Sequence, residues 1–201
     1  MNLKTTATTI NPSTLPFSKG CTNKWSLQES DSTKALPKRL ISWLFDERSL
    51  TQRLISHCEH FEVIVLREGN AIVAPDEQHL FQQARQINSR EVLLMCDGKP
   101  QVYARTLIPQ VTLEYANSLL KTLGNTSLGE VLFSADNMQR QAIEITEFSQ
   151  TSSMANFASS LDLNVEHSLW ARRSIFTLDN NPLMVSEVFL PDSYAYEKAV
   201  K

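Results

Sequence analysis

The chain has few of the residues that staple a fold together. Its three cysteines, Cys21, Cys58 and Cys96, are odd in number, and no two stand at metal-ligand spacing. Neither a disulfide framework nor a structural zinc site is expected, and reduced thiols in a cytosolic compartment fit better. Basic charge is not in excess: 19 Lys and Arg stand against 22 Asp and Glu, and apart from the pair Arg172-Arg173 they are scattered. That argues against a nucleic-acid binder, which carries a basic balance or a basic stripe. No run approaches the ~18 apolar residues of a membrane span. The first twenty residues, MNLKTTATTINPSTLPFSKG, lack the apolar stretch of a secretory signal. A cytoplasmic protein without membrane insertion is expected. His57, His60, His79 and His167 form no H-x-x-x-H or H-E-x-x-H pattern, so no metal site is expected. There is no G-x-S-x-G elbow, phosphate-binding loop or G-x-G-x-x-G.

What is present suffices for one ordinary domain. The 201 residues are 42% hydrophobic and 20% charged, enough to build a core without metal or disulfides. Residues 1–36 carry few large apolar side chains and no clear period, and read as a loosely ordered arm. A domain over 37–201 follows. Leu40, Ile41, Trp43 and Leu44 recur at helical spacing behind Pro37, and Ser49 with Gln52 matches a capping box ahead of Leu50, Leu54 and Ile55. The period then changes to that of strands at 61–68, 90–96, 102–108, 138–148, 168–178 and 182–190. Asp97-Gly98 is a favoured two-residue hairpin turn, and Asp179-Asn180-Asn181 joins the last two strands. Residues 112–123 have helical spacing with Gly124 at the C′ position, and a short helix is expected at 127–133. Residues 149–166 read as an exposed irregular loop. The sum is an α+β domain, an antiparallel sheet of about six strands flanked by helices.

Charges inside apolar strands are the informative anomaly. Glu187 shares a strand face with Leu183, Val185 and Phe189, while the other face carries Met184, Val188 and Leu190. A carboxylate in such a wall must be paired, or burial raises its pKa. Arg90 shares a face with Val92, Leu94 and Cys96; Arg105 lies in the partner strand, and Arg172 and Arg173 in the penultimate one. Guanidiniums on a central sheet suit an acidic small molecule, because their planar fork matches a carboxylate. They equally suit structural pairs with Glu91, Glu144 and Glu187.

A further set of segments carries a family resemblance. They are Ser49-Leu50-Thr51, Leu66-Arg67-Glu68-Gly69, Arg90-Glu91-Val92-Leu93-Leu94-Met95-Cys96-Asp97-Gly98, and Ala104-Arg105-Thr106 with Pro109. Leu123-Gly124, Leu128-Gly129, Leu132-Phe133, Leu169-Trp170-Ala171-Arg172-Arg173-Ser174 and Glu187-Val188-Phe189-Leu190-Pro191 follow in the same order. Together they resemble the chorismate pyruvate-lyase family of ubiquinone biosynthesis. The resemblance implies an antiparallel sheet with an enclosed site under helical flaps and no metal or cofactor. It implies that chorismate is split into 4-hydroxybenzoate and pyruvate. It places the ring carboxylate on Arg90, the ring hydroxyl at Glu187, and backbone groups of Leu50 and Leu128 in the pocket. Arg105 and Arg172 are candidates for the second carboxylate, and a monomer is expected. The rival reading is a non-catalytic ligand-binding domain related to regulator effector domains. Such domains usually follow a DNA-binding domain, and the leading segment here is short and polar with no helix-turn-helix pattern.

Overall fold

The computed structural model describes residues 14–17, 23–27, 36–81, 84, 86–115, 138–178 and 180–196. Within them lie eight strands and four α-helices. The elements are β1 (Ser26–Leu27), α1 (Lys38–Leu44), α2 (Leu50–Ile55), β2 (Phe61–Asn70), β3 (Ile87–Cys96), β4 (Lys99–Pro109) and α3 (Gln110–Tyr115). They continue with β5 (Met138–Arg140), β6 (Glu144–Phe148), α4 (Ser153–Ser160), β7 (Leu169–Leu178) and β8 (Asn181–Phe189). A 3-10 turn at Gln78–Phe81 precedes β3. The α+β antiparallel architecture is as expected from the strand periods. The sheet runs β1-β6-β7-β8-β4-β3-β2, with β5 on the same edge of β7 as β6.

Local sequence explains the joints. Ser49 caps α2 by accepting a hydrogen bond from the Gln52 amide at 3.3 Å. Asp97 and Gly98 take φ of 49° and 76°, the two positive values that a type I′ hairpin requires. Between Leu94 and Met95 the ladder shifts by one residue, so Gln101 is an extra residue in β4. The bulge is held from outside the sheet: the Gln101 carbonyl accepts from the Leu190 amide at 3.0 Å, and its side-chain Oε1 accepts from the Tyr194 amide at 3.0 Å.

Several sequence expectations are corrected. The stretch 138–148 is not one strand. It breaks at 141–143, and both halves pair with β7. Residues 149–166 are not an irregular loop but contain α4, capped by Ser152, which accepts from the Ala155 amide at 3.1 Å. Its Met154, Phe157 and Ala158 are buried in the core. In the final hairpin Asn181 is part of the strand rather than of the turn, and lies opposite Leu178. The 1–36 stretch is described at 14–17, 23–27 and 36. Leu15 and Phe17 are buried, Phe17 stacks on Tyr103 at 5.4 Å, and β1 pairs with β6. The helix expected at 112–123 is described as far as Tyr115; the one at 127–133 lies outside the described residues.

The two sheet faces bury different layers. On one, α1 and α2 place Leu40, Trp43, Leu44, Leu50 and Leu54 against Val63, Val92, Leu94, Val102 and Phe189. On the other, α4 and Phe17 cover Leu93, Tyr103, Ala171 and Val188.

Candidate functional site

Cross-strand register decides which charges meet. Arg90 on β3 lies opposite Thr106 on β4, and Thr106 opposite Val185 on β8. Val92 lies opposite Ala104, and Ala104 opposite Glu187. Side chains two apart in a strand share a face, so Arg90, Thr106 and Glu187 all stand on the face that α1 and α2 cover. Their strands are two ladder steps apart with a two-residue offset, which sets the Arg90 and Glu187 Cα atoms roughly 12 Å apart. The surface between them carries Val92, Ala104 and Val185, with Thr106 beside Arg90, so a charged group stands at each end of a largely apolar floor.

Arg90 is 5% exposed. One end of its guanidinium, Nη1, donates to Oε1 of Glu68 at 2.7 Å, and the Glu68 side chain is 60% exposed. Glu187 is not alone in an apolar wall: Arg172, directly opposite it on β7, donates from Nε to Oε2 at 2.6 Å. Arg172 is 1% exposed and also donates from Nη1 to the carbonyls of Trp43 at 3.1 Å and Asp46 at 2.8 Å. The ion pair thereby ties Glu187 to the link between α1 and α2.

A second guanidinium stands beside this pair. Arg140 on β5 donates from Nε to Ser174 Oγ at 2.9 Å and from Nη1 to the Glu47 carbonyl at 3.1 Å. Burial, reinforced by repulsion from Arg172, brings its pKa down to about 10. Sequence reading did not single out Arg140, because its three-residue strand gives no period to read. Asp46, which helps shape the same link, is held down at about 2 chiefly by its hydrogen bond from Arg48.

Arg105 is placed elsewhere. It sits on the opposite sheet face, where Nη1 binds both Glu77 carboxylate oxygens at 2.8 and 3.0 Å. Around it a row of charges crosses the sheet: Arg67 with Glu91 at 3.4 Å, and Arg173 with Glu144 and Asp76, both at 2.8 Å. Tyr103 donates to Glu91, and Trp25 lies 4.5 Å beneath the Arg173 guanidinium. This row fastens the segments at 14–17, 23–27 and 72–77 to the sheet.

Leu50 is buried in the first turn of α2. Leu128 lies outside the described residues. Among the described residues no group of three His, Cys, Asp or Glu is arranged to hold a metal ion, and no helix is long and apolar enough to cross a membrane. A cavity of about 640 Å³ lined by Leu36, Leu40, Trp170 and Tyr196 includes neither Arg90 nor Glu187.

Comparison with known proteins identifies the family. The family model described as chorismate lyase matches residues 21–201. A protein named "Probable chorismate pyruvate-lyase" from Shewanella sp. (strain ANA-3) is 42% identical over 183 residues, covering 90% of this chain and 95% of that one. A protein of the same name from Psychromonas ingrahamii is 37% identical, covering 86% and 92%. Among solved structures, the effector domain of PhnF from Mycobacterium smegmatis aligns with a TM-score of 0.53 at 12% identity, over 72% of this chain and 90% of that one. The C-terminal domain of the histidine utilization repressor from Pseudomonas syringae aligns at 0.50 and 9%, over 66% and 92%. At such identities these two show a shared fold alone. The family match and the named relatives define a lyase. The chain belongs to the chorismate lyase family.

Proposed function

We propose that the protein converts chorismate to 4-hydroxybenzoate and pyruvate, supplying the aromatic ring for ubiquinone biosynthesis. The observation that carries this reading is the opposition of Arg90 and Glu187 on one face across an apolar floor. Chorismate has a ring carboxylate at one end and the C4 hydroxyl at the other, with the enolpyruvyl ether beside it at C3. Arg90 takes the ring carboxylate, which exchanges with the exposed Glu68 for the guanidinium. Glu187 meets the C4 hydroxyl, and the Leu50 and Leu128 backbone groups complete the pocket.

The reaction breaks the C3–O ether bond and removes the hydrogen at C4, and aromatisation drives it. The protein's work is orientation and stabilisation of the charge that develops on the leaving enolpyruvate. Arg172 is committed to the Glu187 carboxylate, whereas the acceptors of Arg140 beside it, Ser174 Oγ and two carbonyls, are neutral, so the second carboxylate falls to Arg140. In this reading Arg105 has no part, because its face is the wrong one. Glu187 orients the hydroxyl and accepts the C4 proton, with Arg172 fixing its carboxylate in place. No metal or cofactor enters, and the working unit is a cytoplasmic monomer.

Glu187→Gln keeps the shape and removes the base. Its kcat on chorismate is expected to fall about a hundredfold, within the usual range for loss of a general base, with a smaller change in KM. Near-complete retention of turnover would remove Glu187 as the base and leave an internal transfer of the C4 hydrogen to the enol carbon.

The fold shared with regulator effector domains gives the second reading, a ligand-binding domain without chemistry. Arg90 and the Glu187–Arg172 pair serve that reading as well, and measurable binding of chorismate without product would favour it.

A further inference from the structure

Cys58 and Cys96 lie 38 residues apart in sequence, yet their Sγ atoms are 2.8 Å apart. Both thiols point at one acceptor, the Leu54 carbonyl at the end of α2, at 3.3 and 3.7 Å. The backbone around them is already pinned. The amides of Glu59 and His60 donate to Asp97 Oδ1 at 3.1 and 2.8 Å, and the Asp97 amide donates to the His60 carbonyl at 2.8 Å. A disulfide bond is ~2.05 Å long, so the sulfurs need to close by less than an ångström, with the flanking segments held where they are. The two thiols also differ in access. Cys58 is half-buried at the rim, and Cys96 is buried. Burial pushes the Cys96 thiol upward, so it stays protonated at neutral pH.

We infer that Cys58 and Cys96 form a peroxide-responsive thiol pair whose disulfide bolts the end of α2 to the end of β3. Cys58, the accessible member, attacks hydrogen peroxide as its thiolate. The O–O bond breaks, Cys58 becomes a sulfenic acid, and hydroxide leaves, taking up the proton that the thiol released to form one water. The Cys96 sulfur then attacks the Cys58 sulfur, the S–O bond breaks, and the hydroxyl leaves with the thiol proton as a second water. Two cysteines are oxidised by two electrons and one peroxide is reduced. The bolt joins the helix that opens with Leu50 to the strand that carries Arg90. Its effect on turnover rests on the reading above, in which Arg90 and Glu187 hold chorismate on the face that α1 and α2 cover; formation of the bond does not.

The test treats the purified full chain with hydrogen peroxide and maps its peptides by mass spectrometry after blocking free thiols. The expected product is a Cys58–Cys96 linked peptide, lighter by two hydrogens and regenerated by dithiothreitol, with a melting temperature several degrees higher. Cys58→Ser abolishes both changes while leaving basal turnover intact. A peptide linked through Cys21, or Cys58 carried on to sulfinic acid with no link, overturns the assignment. In the same samples, turnover of chorismate is expected to fall severalfold on oxidation and recover on reduction. A bond that forms without changing turnover overturns the coupling to the site. A bond formed in a protein with no lyase activity even when reduced overturns the proposed function instead.

Discussion

Replacing Arg90 by alanine is expected to reduce kcat/KM on chorismate about a thousandfold, or ~4 kcal/mol of transition-state binding, while the protein stays folded. The size follows from the role proposed for Arg90, the charged, two-pronged partner of the ring carboxylate, whose loss typically costs ~2–5 kcal/mol. Glu68, a partner left behind, is 60% exposed and returns to water. Arg90→Lys keeps the charge but loses the planar fork, so an intermediate loss of roughly tenfold to a hundredfold is expected. Steady-state kinetics on the three proteins, with melting curves beside them, gives the answer. Equal activity in all three would mean that the ring carboxylate is held elsewhere.

Arg172→Ala has the largest expected cost in stability. Arg172 is 1% exposed, and its loss leaves Glu187 in the sheet face without its ion-pair partner and takes a donor from the Trp43 and Asp46 carbonyls. Breaking a buried pair from one side typically costs ~3–5 kcal/mol. For a chain of this length that lowers the melting temperature by about 10 °C. The double change Arg172→Leu with Glu187→Leu removes both charges, and much of the stability should return while turnover does not. Thermal unfolding of the two single and the double leucine variants measures this coupling. Additive losses would mean that the pair contributes nothing as a pair.

The two arginines illustrate how far sequence carries. The α+β class, the hairpin at Asp97-Gly98 and the faces of Arg90 and Glu187 are all legible from period and turn chemistry. The placement of Arg105 is not. A two-residue turn at Asp97-Gly98 with an unbroken ladder would set Arg90 opposite Arg105. The single bulge at Gln101 instead sets Arg90 opposite Thr106 and sends Arg105 to the far side, because one residue of slip exchanges faces. Gln101 is held by Leu190 and Tyr194 from the far end of the chain, and no local pattern around it reports that.

The last hairpin teaches the same lesson with the opposite sign. Read with a three-residue turn, its register puts Arg173 against Glu187; with two residues turning, Arg172 is the partner. The missed helix α4 is a different kind of loss. Met154, Phe157 and Leu161 do recur at helical spacing behind the Ser152 cap, but serines, Asn156 and small residues hide the stripe when composition is read first. Arg140 gave no signal, since its contacts depend on Glu47, in the link between α1 and α2, meeting Ser174 and Arg172 on β7.

Incubating the purified protein with chorismate and EDTA, and following both products by chromatography, tests the central claim most directly. The account predicts 4-hydroxybenzoate and pyruvate in equal amounts, formed without metal and lost in Arg90→Ala. No product above the spontaneous background, from a protein shown to be folded, would contradict it and leave a ligand-binding domain in the lyase's place.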